Sequence, residues 1–276
     1  VQSLDRLFSP RTIGIYGASP NATSFGAKTH AHLAHFTGEV FLINRKYDEI
    51  NGTRCYRTVA EVPEPLDCVV IAVPREAVEE AVRECAAAGV NGVVIYASGY
   101  AESGLPERIG QQARLSAIAR ESGMRILGPN CMGMIVPHHH MALCSSVTLN
   151  TDSLGDGSIG LISQSGALMV SMFDRAKADG IGLRYGISCG NQSDLEICDF
   201  IDHMVAEPQT RAICVYVEGF VDAARLRRSA IACREAGKPL LMVKTGRTAA
   251  GVVAAQSHTA SLAGSFEAFE IGRAHV

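Results

Sequence analysis

Short apolar runs rich in β-branched residues alternate with longer amphipathic stretches along the first half of the chain. Such runs are typical of strands buried on both faces of a parallel sheet, and the amphipathic stretches are typical of the helices that cover it. The pattern predicts strands at 12–16, 40–43, 68–73, 92–96 and 125–127, and helices at 26–36, 75–88 and 106–122. We therefore expect a Rossmann-like α/β domain over residues 1–147.

The alternation starts again after a polar stretch, 148–157, which predicts a linker. The later pattern predicts strands at 158–162, 183–188, 212–217 and 239–244, with helices at 165–179, 194–206 and 223–236. These strands without a closing edge favour a flavodoxin-like domain over 158–269 that is truncated at its C-terminus. The last residues, 270–276, match the translation of a common sequencing adapter. We expect a cut near Phe269 and a non-native tail, so His275 receives no functional role.

Charge and composition argue against several classes of protein, namely nucleic-acid-binding, membrane, exported and zinc-binding proteins. The net charge of −3 gives no reason to expect nucleic acid or an anionic membrane surface as a partner. No apolar run is long enough to cross a bilayer, and residues 1–10 lack an export signal. Nine cysteines without a C-x-x-C pair favour buried thiols in the cytoplasm over disulfides or zinc. The adjacent histidines 138–140 cannot all face one metal from a regular strand, so we expect an exposed loop at a domain junction and no metal site.

The first predicted strand runs into a glycine turn at Gly17-Ala18-Ser19, where the backbone can approach a phosphate group at a helix N-terminus. Its G-x-x-G spacing is weaker than a dinucleotide fingerprint, and a turn without a ligand explains it as well. After the second strand, Asn44-Arg45-Lys46 replaces the acidic residue expected for NAD. The two cations would suit a ribose phosphate of CoA or NADP, or they are simply surface charges.

Further loops, at 73–74, 97–102 and 128–133, follow the next strands, where ligands of open α/β sheets bind.

In the second domain, Ser165 and Gly166 open a helix whose free N–H groups suit a phosphate, although capping is the commoner use of such serines. Glu218 ends a predicted strand, and His258 lies in a loop of small residues. A neutral imidazole oriented by a carboxylate is a competent nucleophile toward phosphorus, but a packing histidine remains the alternative.

Together these pieces resemble the α-part of the NDP-forming acyl-CoA synthetases, of the acetate–CoA ligase (ADP-forming) type, which are related to succinyl-CoA synthetase. The likeness is collinear from Leu4 to about Phe269. Its motifs are Leu7-Phe8-Ser9-Pro10, Gly17-Ala18-Ser19-Pro20, Gly128-Pro129-Asn130-Cys131, Ser163-Gln164-Ser165-Gly166-Ala167, Gly190-Asn191, Tyr216-Val217-Glu218-Gly219 and Ser257-His258-Thr259.

The resemblance implies roles for single residues. The first domain would bind CoA, and the second would be a succinyl-CoA synthetase-like phosphohistidine domain. His258 would carry the phosphoryl group, Glu218 would be its carboxylate partner, and Ser165 and Gly166 would hold the phosphate. The residues implied for CoA are Gly17, Ala18, Ser19, Lys46, Val73, Pro74, Ser98 and Asn130.

The resemblance also implies the reaction: acyl-CoA, a nucleoside diphosphate and phosphate are interconverted with a carboxylic acid, CoA and the triphosphate. ATP/ADP or GTP/GDP and Mg²⁺ would bind an ATP-grasp domain or β-subunit. This chain has no ATP-grasp segment, so we expect it to be inactive alone and to assemble into an oligomer. Ala260-Ser261 stands where the family often has Gly-Ala, which affects the loop but not the nucleophile.

Three rival hypotheses remain at this point. The chain could be the ligase-like CoA-sensing region of a protein acetyltransferase, which need not keep the histidine. It could be an NADP-dependent oxidoreductase, which would explain Arg45 and Lys46 but leaves the histidine motif without a purpose. It could also be a CoA-binding regulatory module without chemistry.

Overall fold

The computed structural model describes residues 4–146, 149 and 154–245. The N-terminal half builds a seven-stranded sheet in the order β3-β4-β2-β1-β5-β6-β7, parallel except for β3. The strands are β1 (Thr12–Tyr16), β2 (Glu39–Ile43), β3 (Glu49–Ile50), β4 (Thr53–Tyr56), β5 (Cys68–Ile71), β6 (Gly92–Ile95) and β7 (Arg125–Leu127). Every residue of β1, β5 and β6 is buried, which explains their uninterrupted apolar sequences.

Helices cover this sheet: α1 (Asp5–Phe8), α2 (Phe25–His32), α3 (Arg75–Ala87) and α4 (Pro106–Ser122). Helix α4 begins with a proline at its first turn and ends at Gly123, whose φ of 75° provides the left-handed cap. Helix α2 is shorter than predicted because the N–H groups of Leu33 and Ala34 bond carbonyls three residues back and close the helix.

The second sheet has six strands in the order β13-β12-β10-β11-β8-β9. They are β8 (Gly133–Val136), β9 (Met141–Cys144), β10 (Asp156–Ser163), β11 (Leu183–Ser188), β12 (Ala212–Val217) and β13 (Leu240–Lys244), accompanied by α5 (Gly166–Ala178), α6 (Ile197–Ala206) and α7 (Ala223–Glu235). Helix α6 starts later than predicted because the Asp194 carboxylate instead accepts from Ile126 N–H and Arg125. The Rossmann-like and flavodoxin-like predictions of the fold class are confirmed.

The β8–β9 hairpin differs from the sequence prediction. The division at residue 147, which remains a prediction, places these residues with the first domain. In the structure, β8 runs antiparallel to β11, with Ile135 opposite Gly186 and Met134 opposite Ile187, so the hairpin extends the second sheet.

The histidines 138–140 lie at the tip of this hairpin, in a 3-10 turn over Pro137–His139. The expectation of an exposed loop is wrong for two of the three histidines, because only His140 is exposed, whereas His138 and His139 are half-buried. His138 packs edge-on against Tyr185, and the His139 ring lies 2.7 Å from Ser9 Oγ. Among the described residues, no group of His, Cys, Asp and Glu side chains is arranged to hold a metal ion.

The two halves share one apolar core. The Phe8 ring stacks on His203 at 4.5 Å and meets the edge of Tyr185 at 5.3 Å, so α1 of the first half is anchored on the second sheet. None of the helices in the described parts of the chain combines the length and apolarity that crossing a bilayer demands.

Candidate nucleotide and phosphate sites

The loops proposed for a nucleotide gather at the carboxyl edge of the first sheet. Strands β2 and β5 flank β1 on opposite sides, so the topological switch point lies between β1 and β5. Gly17 follows β1 and Val73 follows β5, which places two of the predicted residues at this point. Open α/β sheets bind ligands at such a switch point.

Gly17 is required by the local backbone. It has a φ of 96°, and a Cβ there would lie 2.6 Å from the Ala72 carbonyl oxygen. A Cβ on Gly26 would lie 2.3 Å from the Gly17 carbonyl oxygen, so α2 approaches the turn closely. The Ser24 side chain caps α2 by accepting from Ala27 N–H. The turn at Gly17, Ala18 and Ser19 is thus held directly against a helix N-terminus.

The loop after β2 carries two exposed cations, of which one forms an ion pair and the other forms none within the described ranges. Asn44 Nδ2 donates to the Ala18 carbonyl oxygen at 2.7 Å and thereby joins this loop to the glycine turn. Arg45 pairs with Glu80 at 2.8 Å, and this contact raises its pKa. Lys46 is exposed, and no ion pair to it is recorded within the described ranges. Sequence reasoning did not predict the bridging role of Asn44, which depends on a contact between two loops.

The remaining predicted loops lie at the same edge. Pro74 caps α3 after β5, and Ser98 is exposed after β6. Asn130 follows β7 with a φ of 58°, and its N–H donates to the Ala97 carbonyl oxygen at 2.9 Å. All the residues proposed for CoA therefore stand on loops at the carboxyl ends of neighbouring strands.

The second sheet places Ser165, Gly166 and Glu218 on the ends of two adjacent parallel strands, β10 and β12. Ser165 is the N-cap of α5 and its side chain accepts from Leu168 N–H. Gly166 has no room for a side chain, since a Cβ would lie 2.3 Å from Met132 Cγ. Glycine is therefore required at the first position of α5, a helix whose leading N–H groups lack carbonyl partners within the helix itself.

Gln164 connects the two strand ends. Its Oε1 accepts from the N–H groups of Glu218 and Gly219, at 2.5 and 3.0 Å, and its Nε2 donates to the Gly219 carbonyl oxygen at 2.7 Å. One buried amide thus fixes the backbone of Glu218 beside the start of α5. The sequence contains Gln164 within a quoted motif, but its contact across 54 residues gave no local signal.

Glu218 is a buried carboxylate with unused bonding capacity. Its side chain is only 5% exposed, and its Oε2 has no hydrogen-bond partner in the part of the chain that the structure describes. Lys244 Nζ donates to the Glu218 backbone carbonyl at 2.8 Å, and burial lowers the pKa of Lys244. A buried carboxylate oxygen without a partner is costly, so its retention points to a bonding group elsewhere. The predicted nucleophile, His258, lies outside the described residues.

Comparisons with known proteins identify both domains. Residues 11–137 match the CoA binding domain family, and residues 156–272 match the succinyl-CoA ligase like flavodoxin domain. An acetate–CoA ligase (ADP-forming) I from Archaeoglobus fulgidus is 35% identical over 266 residues, which is 96% of this chain and 38% of that protein. The chain belongs to the NDP-forming acyl-CoA synthetase family.

Two further relatives extend the match. The α subunit of acetate–CoA ligase (ADP-forming) II from Pyrococcus furiosus is 35% identical over 97% of this chain and 57% of its own length. The solved acetyl-coenzyme A synthetase 1 of Ca. Korarchaeum cryptofilum, in complex with phosphate and ADP, has a TM-score of 0.90 at 33% identity, covering 99% of this chain and 58% of that one. The chain thus spans between 38% and 58% of these relatives.

Proposed function

We propose that this chain is the CoA-binding and phosphoryl-carrying part of an NDP-forming acid–CoA ligase. The observation that carries the proposal is Glu218, a buried carboxylate beside the N-terminus of α5, one oxygen of which has no hydrogen-bond partner among the described residues. The substrates would be CoA and a small carboxylic acid, as the relatives' names indicate for those proteins.

CoA would bind along the carboxyl edge of the first sheet. The glycine turn and the start of α2 would receive the pyrophosphate, because backbone N–H groups and the helix dipole favour anions there. Lys46 would face the 3′-phosphate, since its charge is not engaged by a described acidic residue. The loops carrying Val73, Pro74, Ser98 and Asn130 would direct the pantetheine arm toward the second sheet.

The chemistry would proceed through two enzyme-bound stages. A phosphate oxygen attacks the thioester carbonyl carbon, the C–S bond breaks, and the CoA thiolate leaves and takes a proton. A ring nitrogen of His258 then attacks the phosphorus of the acyl phosphate. The P–O bond to the acyl group breaks, the acid leaves as its carboxylate, and a phosphohistidine remains. An ATP-grasp part would supply Mg²⁺ and the ADP or GDP whose terminal oxygen accepts the phosphoryl group.

Glu218 would orient the nucleophile. A carboxylate that accepts the N–H of the second ring nitrogen fixes the tautomer of His258 and stabilises the positive charge that develops on the ring. The α5 N-terminus, at Ser165 and Gly166, would hold the oxygens of the transferred phosphoryl group. The free Oε2 of Glu218 supports this role.

The assembly around the chain is also part of the proposal. The ATP-grasp part would be a fused segment or a separate β-subunit, and the complete enzyme would be an oligomer. Nine free cysteines, eight of them buried, support the cytoplasm as the compartment because such thiols are kept reduced there.

Radiolabelling of the chain together with its ATP-grasp part tests the phosphohistidine. ATP labelled at the γ-phosphate should transfer label in an acid-labile, base-stable form. His258→Asn should abolish the label and turnover but leave CoA binding unchanged, whereas His140→Asn, at an exposed histidine, should label normally. Glu218→Gln should label slowly, since the imidazole keeps its nucleophilic nitrogen. Wild-type labelling of His258→Asn would refute the assignment.

Calorimetric titration of the chain distinguishes the proposal from the oxidoreductase hypothesis. CoA should bind more tightly than NADP or NAD, because Asn44-Arg45-Lys46 directly follows β2, where NAD enzymes carry the acidic residue that binds the ribose hydroxyls. Tighter binding of NADP than of CoA would favour the oxidoreductase.

A further inference from the structure

The side chain of Asn191 joins two loops and helix α4 of the first domain to the second. Its Nδ2 donates to Glu102 Oε2 at 2.5 Å and to Gln112 Oε1 at 2.9 Å, and its Oδ1 accepts from Asn130 Nδ2 at 3.2 Å. We propose that Asn191 is a positioning residue that sets the CoA loops in register with the phosphate-binding start of α5. The inference rests on the proposed function.

The contacts of Asn191 reach the backbone of the CoA loops. Glu102 accepts from the N–H groups of Gly99 and Tyr100, at 2.5 and 3.0 Å, and so shapes the loop that carries Ser98. Gln112 accepts from Ala101 N–H at 3.3 Å. Two of the loops proposed for CoA, those of Ser98 and Asn130, are therefore held by one amide from the other domain.

The backbone around Asn191 reaches the phosphate site in the opposite direction. Asn191 N–H donates to the Pro129 carbonyl oxygen at 2.8 Å. A Cβ on Gly190 would lie 2.2 Å from that same oxygen, so the two loops touch at backbone distance. Cys189 N–H donates to the Ser163 carbonyl oxygen at 2.9 Å. A chain of direct contacts thus leads from the CoA loops to the residues preceding α5.

The saturation of the Asn191 amide decides between positioning and ligand binding. Both hydrogens of Nδ2 are donated, and Oδ1 already accepts one bond within the protein. The bond to the Glu102 carboxylate is charge-assisted and therefore among the stronger contacts of this interface. The side chain therefore holds the two loops and α4 in place and has no N–H left to donate to a ligand.

Alignment matters for only one of the two routes to the phosphohistidine. Formation of the acyl phosphate requires acyl-CoA from the first domain to meet phosphate at the second. Phosphorylation of the histidine by ATP uses the second domain and the ATP-grasp part. Loss of register should therefore slow the first route and spare the second, whereas general unfolding would reduce both.

Single-turnover labelling of the complete enzyme tests this. Asn191→Ala should slow labelling from radioactive phosphate with acetyl-CoA about tenfold or more, as expected for loss of a charge-assisted hydrogen bond, while labelling from ATP stays within about twofold of wild type. Glu102→Gln, which changes the same contact from the other side with little change in shape, should give the same split. Ser116→Ala is the matched control, because it removes a different interdomain hydrogen bond, that from Ser116 Oγ to the Ser193 carbonyl oxygen.

The outcomes separate the two proposals. Equal slowing of both routes by Asn191→Ala and Glu102→Gln, or no slowing by either, would overturn the positioning role while the wild type still labels. The same split in Ser116→Ala would also overturn it, because any weakening of the interface would then suffice. A wild-type enzyme that takes label from neither source would overturn the proposed function itself.

Discussion

Two adjacent cations after β2 differ in what they face, and this gives a prediction for one residue. Both side chains are exposed, but Arg45 is engaged by Glu80, whereas no ion pair to Lys46 lies within the described ranges. Lys46→Ala should weaken CoA about tenfold and dephospho-CoA much less, because only CoA carries the 3′-phosphate that the ammonium group would contact. Arg45→Ala should change neither affinity appreciably. Equal weakening of both ligands, measured by calorimetry, would place Lys46 elsewhere.

Gly17 combines a conformational and a steric requirement, so its substitution should be costly. In Gly17→Ala the new methyl group would meet the Ala72 carbonyl at a backbone with φ of 96°. We expect a loss of about 2–3 kcal/mol in the free energy of unfolding, together with weaker CoA binding. Gly52→Ala, at a φ of 80° with open space around the Cβ, should cost about 1 kcal/mol from backbone strain alone. Equal costs in urea denaturation would contradict the steric argument.

At the scale of elements, one arginine holds helices α6 and α7 together. Arg225 donates to Glu196 and Asp199, each at 2.7 Å, and both carboxylates are buried. Burial raises the pKa of Glu196 even beside this guanidinium. Arg225→Met should lower the free energy of unfolding by about 2–3 kcal/mol, because it leaves the buried Glu196 without its cation and Asp199 with only the longer contact to Arg125, at 3.7 Å.

The control for this prediction is Arg228, on the same helix. It lies 4.0 Å from Asp222, and both side chains are well exposed. Arg228→Met should cost about 0.5 kcal/mol or less, since exposed ion pairs contribute little. Similar midpoints for the two variants in urea denaturation would show that Arg225 does not anchor α6.

The elements that the sequence predicts well are those with local signals. The strands β1, β7, β11 and β12 and helix α4 have the predicted bounds, since predominantly apolar runs and a proline–glycine pair define them. The β8–β9 hairpin was not predicted. Its apolar run is short, and its pairing with β11 depends on a contact about 50 residues away. A local pattern contains no information about such a partner.

At the scale of the whole molecule, one part of the candidate site could be predicted from the sequence and another part could not. The carboxyl edge could be predicted because parallel strands bring their ends together, and this placed Gly17, Val73, Ser165 and Glu218. The bridging side chains could not be predicted, since Gln164 and Asn191 act only through loops that are distant in sequence. The residues proposed for the chemistry therefore had local signatures, and the residues proposed to align them did not.

The histidines packed around Phe8 and Tyr185, where α1 meets the second sheet, also predict a response to acid. His138 packs against Tyr185 at the junction, and burial, followed by the nearby Arg184 and His139, lowers its pKa from 6.5 to about 4. Burial likewise lowers the pKa of His203, which stacks on Phe8. Below the ordinary histidine pKa, the unfolded chain binds protons that the folded chain excludes, so stability falls as the pH decreases from about 6.5 toward 4.

His138→Gln should flatten this dependence without abolishing it, because glutamine does not titrate and His203 still does. The measurement is the free energy of unfolding in urea at several pH values between about 7 and 4.5. Above pH 7 both histidines are neutral in the folded and the unfolded chain, so any loss in the free energy of unfolding of the variant there comes from packing alone. The difference in slope between the variant and the wild type below about pH 6.5 measures the proton that His138 excludes in the folded chain. If His138→Gln and the wild type lose stability in parallel over this range, the excluded proton is not at His138, and the acid sensitivity of the junction must come from His203 or from groups elsewhere in the chain.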